Sequence, residues 1–153
     1  MGLKTLLRWL VRTDANLGAL AARLTLGISM LPAGWGKLSH FEKTMGMFTQ
    51  GLGIPAPIAF LVIMAESFGA LGLILGVVGR FCAFGNALVM IGAILMVHGQ
   101  HGFRLLDPQN PDPNKMGWAY NFALLGLAVV VMLAGSGAFS FDRWLTKKNE
   151  APQ

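Results

Sequence analysis

Charge is sparse in this chain. It has 7 Asp and Glu and 12 Lys and Arg among 153 residues, while 54% of it is hydrophobic. Soluble domains carry roughly 25% charged residues, so the composition excludes a domain whose whole perimeter meets water. It equally excludes a disordered chain, which needs low hydrophobicity. Cysteine is nearly missing. With Cys82 alone, no intramolecular disulfide can form, and a membrane thiol oxidoreductase working through Cys-x-x-Cys pairs is ruled out. The net charge of +5 comes from basic residues that flank apolar runs instead of forming one basic face. That removes a nucleic-acid module and directs the positive charge to a membrane surface.

What is abundant is long apolar sequence. The stretches Phe81 to Phe103 and Met116 to Phe141 contain no Asp, Glu, Lys or Arg, and each exceeds the ~20 residues a bilayer-crossing helix needs. Four spans are expected, at about 17–38, 57–79, 81–101 and 116–135. The first is interrupted by Arg23 and ended by Pro32, Gly34, Gly36 and Lys37, the second opened by the Ile54-Pro55-Ala56-Pro57 turn. Only Gly79-Arg80 separates the second from the third, which requires a tight antiparallel pair. The expected fold is therefore all-α: one membrane domain, 1–153, built as an integral four-helix antiparallel bundle.

Residues 1–13 could pass for a secretory signal, but Arg23 breaks the apolar region and no small-residue cleavage site follows. They read as a retained amphipathic lead-in. Leu3, Leu6, Leu7 and Leu10 fall at helical spacing, with Lys4, Arg8 and Arg12 on another face, as suits a short helix lying in the membrane interface. Lys4, Arg8, Arg12, Arg80, Arg143, Lys147 and Lys148 fall on the side of the termini, against Lys37, Lys43, Arg104 and Lys115 opposite. This bias puts both termini, including a tail at 143–153, in the cytoplasm of a prokaryotic cell, with the chain multi-pass in the inner membrane. Trp9 and Trp144 then mark the inner interface, Trp35 and Trp118 the outer. Phe41, Met45 and Phe48 form a short apolar stripe in the first outer loop, and Pro108, Pro111 and Pro113 make the second an irregular exposed segment.

An ionisable group inside a span points to function by default, and there are two, Arg23 and Glu66. Counting ~1.5 Å per residue places their backbones at depths about 7 Å apart, a gap that the arginine stem can close. The expectation is a buried ion pair, either fixing helix register or leaving Glu66 to exchange a proton beside a substrate. Asn86, at the depth of Arg23, offers an amide oxygen to the guanidinium or serves as interhelical glue. His98 and His101 lie near the outer end of the third span; His98 with Lys37, Asn121 and Trp35 can line the mouth of a pocket. No metal or haem motif is present: a metal site on His98 and His101 would need His40 or Asp107 as further ligands, two His on one helix face cannot clamp a haem, and the pair reads first as interfacial polar residues bonding the outer loop. Gly69, Gly72, Gly76 and Gly79 read as packing positions.

The chain resembles the DoxX family of small bacterial and archaeal membrane proteins, from about Asp14 to Leu145. Carrying the resemblance are Arg23-Leu24, Leu26-Gly27, Gly34 and Lys37-Leu38; Leu52 to Pro57 with Phe60, Ala65-Glu66 and Gly76 to Arg80; Val97-His98 with Gly102-Phe103; and Gly135-Ser136-Gly137 with Ser140 to Arg143. It implies a four-helix bundle and an association with quinone-linked redox complexes. Many members have His where this chain has Ala33, and Glu-Tyr-His where it has Ala119-Tyr120-Asn121. Arg23, Lys37, Glu66 and His98 remain as matching positions.

Three functions follow as expectations. One is a membrane subunit of a quinone-linked oxidoreductase, binding or protonating quinone near Glu66, with Arg23 beside it and a partner supplying the electron-carrying cofactor. Another is a non-catalytic scaffold docked on a larger membrane complex. The third is a conduit, which four short helices permit only as a homo-oligomer.

Overall fold

The computed structural model describes residues 2–106 and 115–150, so the loop around Pro108, Pro111 and Pro113 lies outside the described residues. Every regular element in them is helical: α1 Leu3–Val11, α2 Leu17–Ser39, α3 Phe41–Gly46, α4 Ala56–Leu75, α5 Gly79–Ala93, α6 Ala119–Ala134 and α7 Phe141–Glu150. The helix of α3 runs on through a π turn, Met47–Gly51, and that of α5 through a π turn, Ile94–His98, and a 3-10 turn, Gly99–His101.

Three of these are long and apolar enough to cross a membrane: Leu17–Ser39, Ala56–Leu75 and Gly79–His101. The fourth apolar helix, α6, has 16 residues, fewer than the ~20 of a full span. It begins later than the apolar run because Met116 to Trp118 turn against the preceding loop, where Trp118 N–H donates to Gly102 O at 3.1 Å and Gly117 N–H to Leu105 O at 3.3 Å.

Local chemistry sets the start of α2 and both ends of α4. Asn16 caps α2, its Oδ1 accepting from Ala19 N–H at 3.1 Å. Pro55 precedes α4 and Pro57 sits in its first turn, where a missing N–H costs nothing. Gly76, with φ +68°, closes α4: Gly76 N–H bonds Leu73 O and Val77 N–H bonds Gly72 O, a Schellman pair that needs the left-handed residue.

The four long helices pack in a cycle, α2 on α4, α4 on α5, α5 on α6 and α6 on α2. Between them lies one apolar cluster that includes Leu26, Met30, Leu73, Met90, Leu124 and Val131. A smaller cluster of Phe48, Ala59 and Ile63, joined by Phe41 and Met45, covers the end opposite the termini. Large apolar side chains also crowd the outside, among them Leu17, Leu61, Phe68, Leu75, Leu95 and Leu133. So broad an apolar exterior suits hydrocarbon, since proteins in water rarely expose contiguous patches of this kind. At the terminal end, α1 and α7 meet, with Thr146 Oγ1 donating to Val11 O at 3.0 Å.

Candidate functional site

Glycine decides where the charged residues of α2 and α4 meet. A Cβ on Gly34 would stand 2.2 Å from Glu66 O, and one on Gly27 would stand 2.8 Å from the Ile74 side chain and 2.9 Å from Ala70 O. The two backbones are thus in close contact, with Gly34 level with Glu66. Lys37 lies one turn beyond Gly34 and bonds the Glu66 carboxylate in an ion pair. The side chain of Glu66 is 6% exposed and that of Lys37 is 27% exposed.

The expected Arg23–Glu66 pair is not formed. Arg23 lies eleven residues before Gly34, about 16 Å of helix rise, so the α2–α4 register set by the Gly34 contact differs from the one that the ends of the apolar runs imply. Arg23 instead faces the end of α4. Its Nη1 donates to Leu73 O at 2.7 Å and Ile74 O at 2.5 Å, its Nε to Ser136 O at 2.7 Å, and its Nη2 to Phe139 O at 2.8 Å and Ala138 O at 3.3 Å. A guanidinium has five N–H donors, and each meets a carbonyl. The side chain is buried, joining the last turn of α4 to the segment between α6 and α7.

Asn86 does not reach that guanidinium either. Its Nδ2 donates to Ala65 O on α4 and Cys82 O on its own helix, both at 3.0 Å, over the space that Gly69 leaves open. Its Oδ1 and that of Asn121 are buried without a hydrogen-bond partner among the described residues. His98 Nδ1 lies 2.8 Å from Met116 O, tying the end of α5 to the loop before α6. Trp35 is 59% exposed on the outside of α2. Neither His98 nor Asn121 hydrogen-bonds to Lys37 or Glu66 among the described residues, so the ion pair alone unites two of the expected site residues.

The second polar centre, at the terminal end, includes Asp142 and Arg80, whose roles the linear sequence hides. Asp142 is buried, and its carboxylate accepts from Val78 N–H at 2.8 Å, Gly79 N–H at 2.9 Å and Ser136 Oγ at 2.5 Å. It caps the N-terminus of α5 from a distant element, satisfying amides that have no intrahelical partner. Arg80 treats α6 as Arg23 treats α4: Nε donates to Met132 O at 3.1 Å and Nη2 to Leu133 O at 3.3 Å. Its Nη1 reaches Trp9 O at 2.9 Å and also Arg12 O, while the guanidinium lies 5.0 Å from the Trp9 ring centre. Thr13 Oγ1 accepts from Gly137 N–H at 2.8 Å, completing the join. The available signal was Asp142 just beyond the fourth apolar run, near two arginines at the same end; pairing it needed the fold. Among the described residues no group of His, Cys, Asp and Glu could hold a metal ion.

An all-helical chain with an apolar exterior, three span-length helices and buried ionic groups tied to helix ends is a membrane protein. It belongs to the DoxX family, whose sequence pattern matches residues 18–99, the stretch from α2 through α5. The chain is also similar to inner membrane protein YqjF of Escherichia coli K12, 27% identical over 133 residues that cover 87% of this chain and 95% of that protein. No solved structure matches it significantly.

Proposed function

We propose that this protein is a four-crossing subunit of a quinone-linked oxidoreductase complex in the prokaryotic inner membrane, holding a quinone head group against Lys37 and Glu66. In this reading both termini are cytoplasmic and α1 lies in the inner interface. The carrying observation is the ion pair itself: Glu66 is enclosed, while Lys37 keeps partial access. An ammonium has three N–H donors, and Glu66 takes one. The others suit a quinone carbonyl oxygen, and the adjacent carboxylate suits proton exchange. A quinone supplies two-electron redox chemistry; the chain has no cofactor motif for carrying electrons farther, so a partner does so. The name of the E. coli relative supports the inner-membrane location.

Purified wild-type protein is expected to bind an added ubiquinone or menaquinone analogue, with Lys37→Gln, which removes the ammonium donors that face the quinone carbonyl, weakening binding about tenfold, the scale of one charge-assisted hydrogen bond. A wild-type protein that binds neither analogue overturns the reading. A second reading, a non-catalytic scaffold in a larger membrane complex, draws support from Arg23, Arg80 and Asp142, whose hydrogen bonds all serve helix ends and joins. Under it, Glu66→Gln lowers assembly but leaves partner activity per assembled complex unchanged.

A further inference from the structure

Two adjoining cavities open at the terminal end, remote from Lys37 and Glu66. One, of about 360 Å³, is polar, with Arg12, Thr13, Asp14 and Asn16 along its wall. The other, of about 160 Å³, is an apolar groove between Leu10, Phe81, Phe84 and Met132. Trp9 and Arg80 line both and so form their common border.

We propose that this double cavity seats one anionic phospholipid, its phosphate against Arg12 and the upper part of an acyl chain in the groove. Charge argues for an anion. Arg12 and Arg80 outnumber Asp14 on the polar wall. Arg80 is held by four carbonyls, whereas the Arg12 guanidinium has no hydrogen bond or ion pair among the described residues. It is the free, planar donor that matches phosphate oxygens. The groove argues for a lipid over a free phosphate. Four apolar side chains flank it where α1 crosses α5 and α6, and Phe81 and Phe84 among them are exposed on the outside of the bundle. Trp9 stacked on Arg80 at the border is the amphipathic arrangement found at headgroup depth. The seat also gives α1 a reason to stay docked, since the lipid would touch α1, α5 and α6 together.

The test is native mass spectrometry of the detergent-purified protein offered equal phosphatidylglycerol and phosphatidylcholine with identical acyl chains. Wild type is expected to retain one phosphatidylglycerol preferentially, and Arg12→Gln to lower that preference about fivefold, the worth of one arginine beside an anionic lipid. Arg8→Gln removes the same charge from α1 outside the cavity and is expected to leave the preference near wild type. Equal retention of the two lipids by wild type, or equal losses in the two variants, overturns the proposal. Inorganic phosphate in large excess is expected to leave the lipid bound; if it displaces the lipid, the site is one for free phosphate and the proposal fails.

Discussion

Every N–H of the Arg23 guanidinium meets a backbone carbonyl, so donor count, beyond charge, is what this position supplies. In hydrocarbon no water replaces a lost partner, and each carbonyl left bare costs about 1–3 kcal/mol. Arg23→Gln leaves at most two amide N–H donors, so at least three of these hydrogen bonds are lost and stability is expected to fall by about 3 kcal/mol. Arg23→Lys keeps the charge but has three donors, and should fall between glutamine and wild type. Thermal unfolding in detergent checks the order, and a lysine variant as stable as wild type would refute the donor argument. Asp142→Asn removes one of the two oxygens that cap α5 and is expected to cost about 1–3 kcal/mol. Ser136→Ala loses only the hydroxyl partner of that carboxylate and should cost less in the same assay.

Between elements, the closest approach is made by residues with no side chain. A Cβ at Gly34 would strike the Glu66 backbone, whereas one at Gly36 on the same helix meets nothing within 4 Å. Gly34→Ala is therefore expected to push α2 from α4 at a cost of about 1–3 kcal/mol, and to loosen the Lys37–Glu66 pair. Gly36→Ala should be neutral or stabilising by up to about 1 kcal/mol, because alanine favours helix over glycine. Equal melting temperatures for the two variants would contradict the packing. The sequence announced the glycines of α4, which in the fold receive Asn86 and Cys82 of α5. It did not single out Gly27 and Gly34 as the α2–α4 contact, since a glycine reads alike whether it faces a neighbouring backbone or open space.

At the scale of the molecule, α1 and α7 are joined through Thr146 and Val11, so both described ends of the chain lie at one end of the bundle. Reporter fusions at residue 2 and residue 150 should give the same cytoplasmic signal, and one placed between α3 and α4 the opposite signal; unlike signals from the two ends would refute the topology. The sequence by itself determined that the protein is helical and apolar and belongs in a membrane, because composition and the length of uncharged runs act on each segment separately and need no neighbour. It also identified Arg23, Lys37 and Glu66 as residues to explain. Only the tertiary structure decided that Lys37, and not Arg23, meets Glu66, and that Asp142 caps a helix 63 residues away in the chain. Those pairings depend on helix register, which is set by glycine contacts and turn geometry between segments, and no property of an isolated segment carries that information.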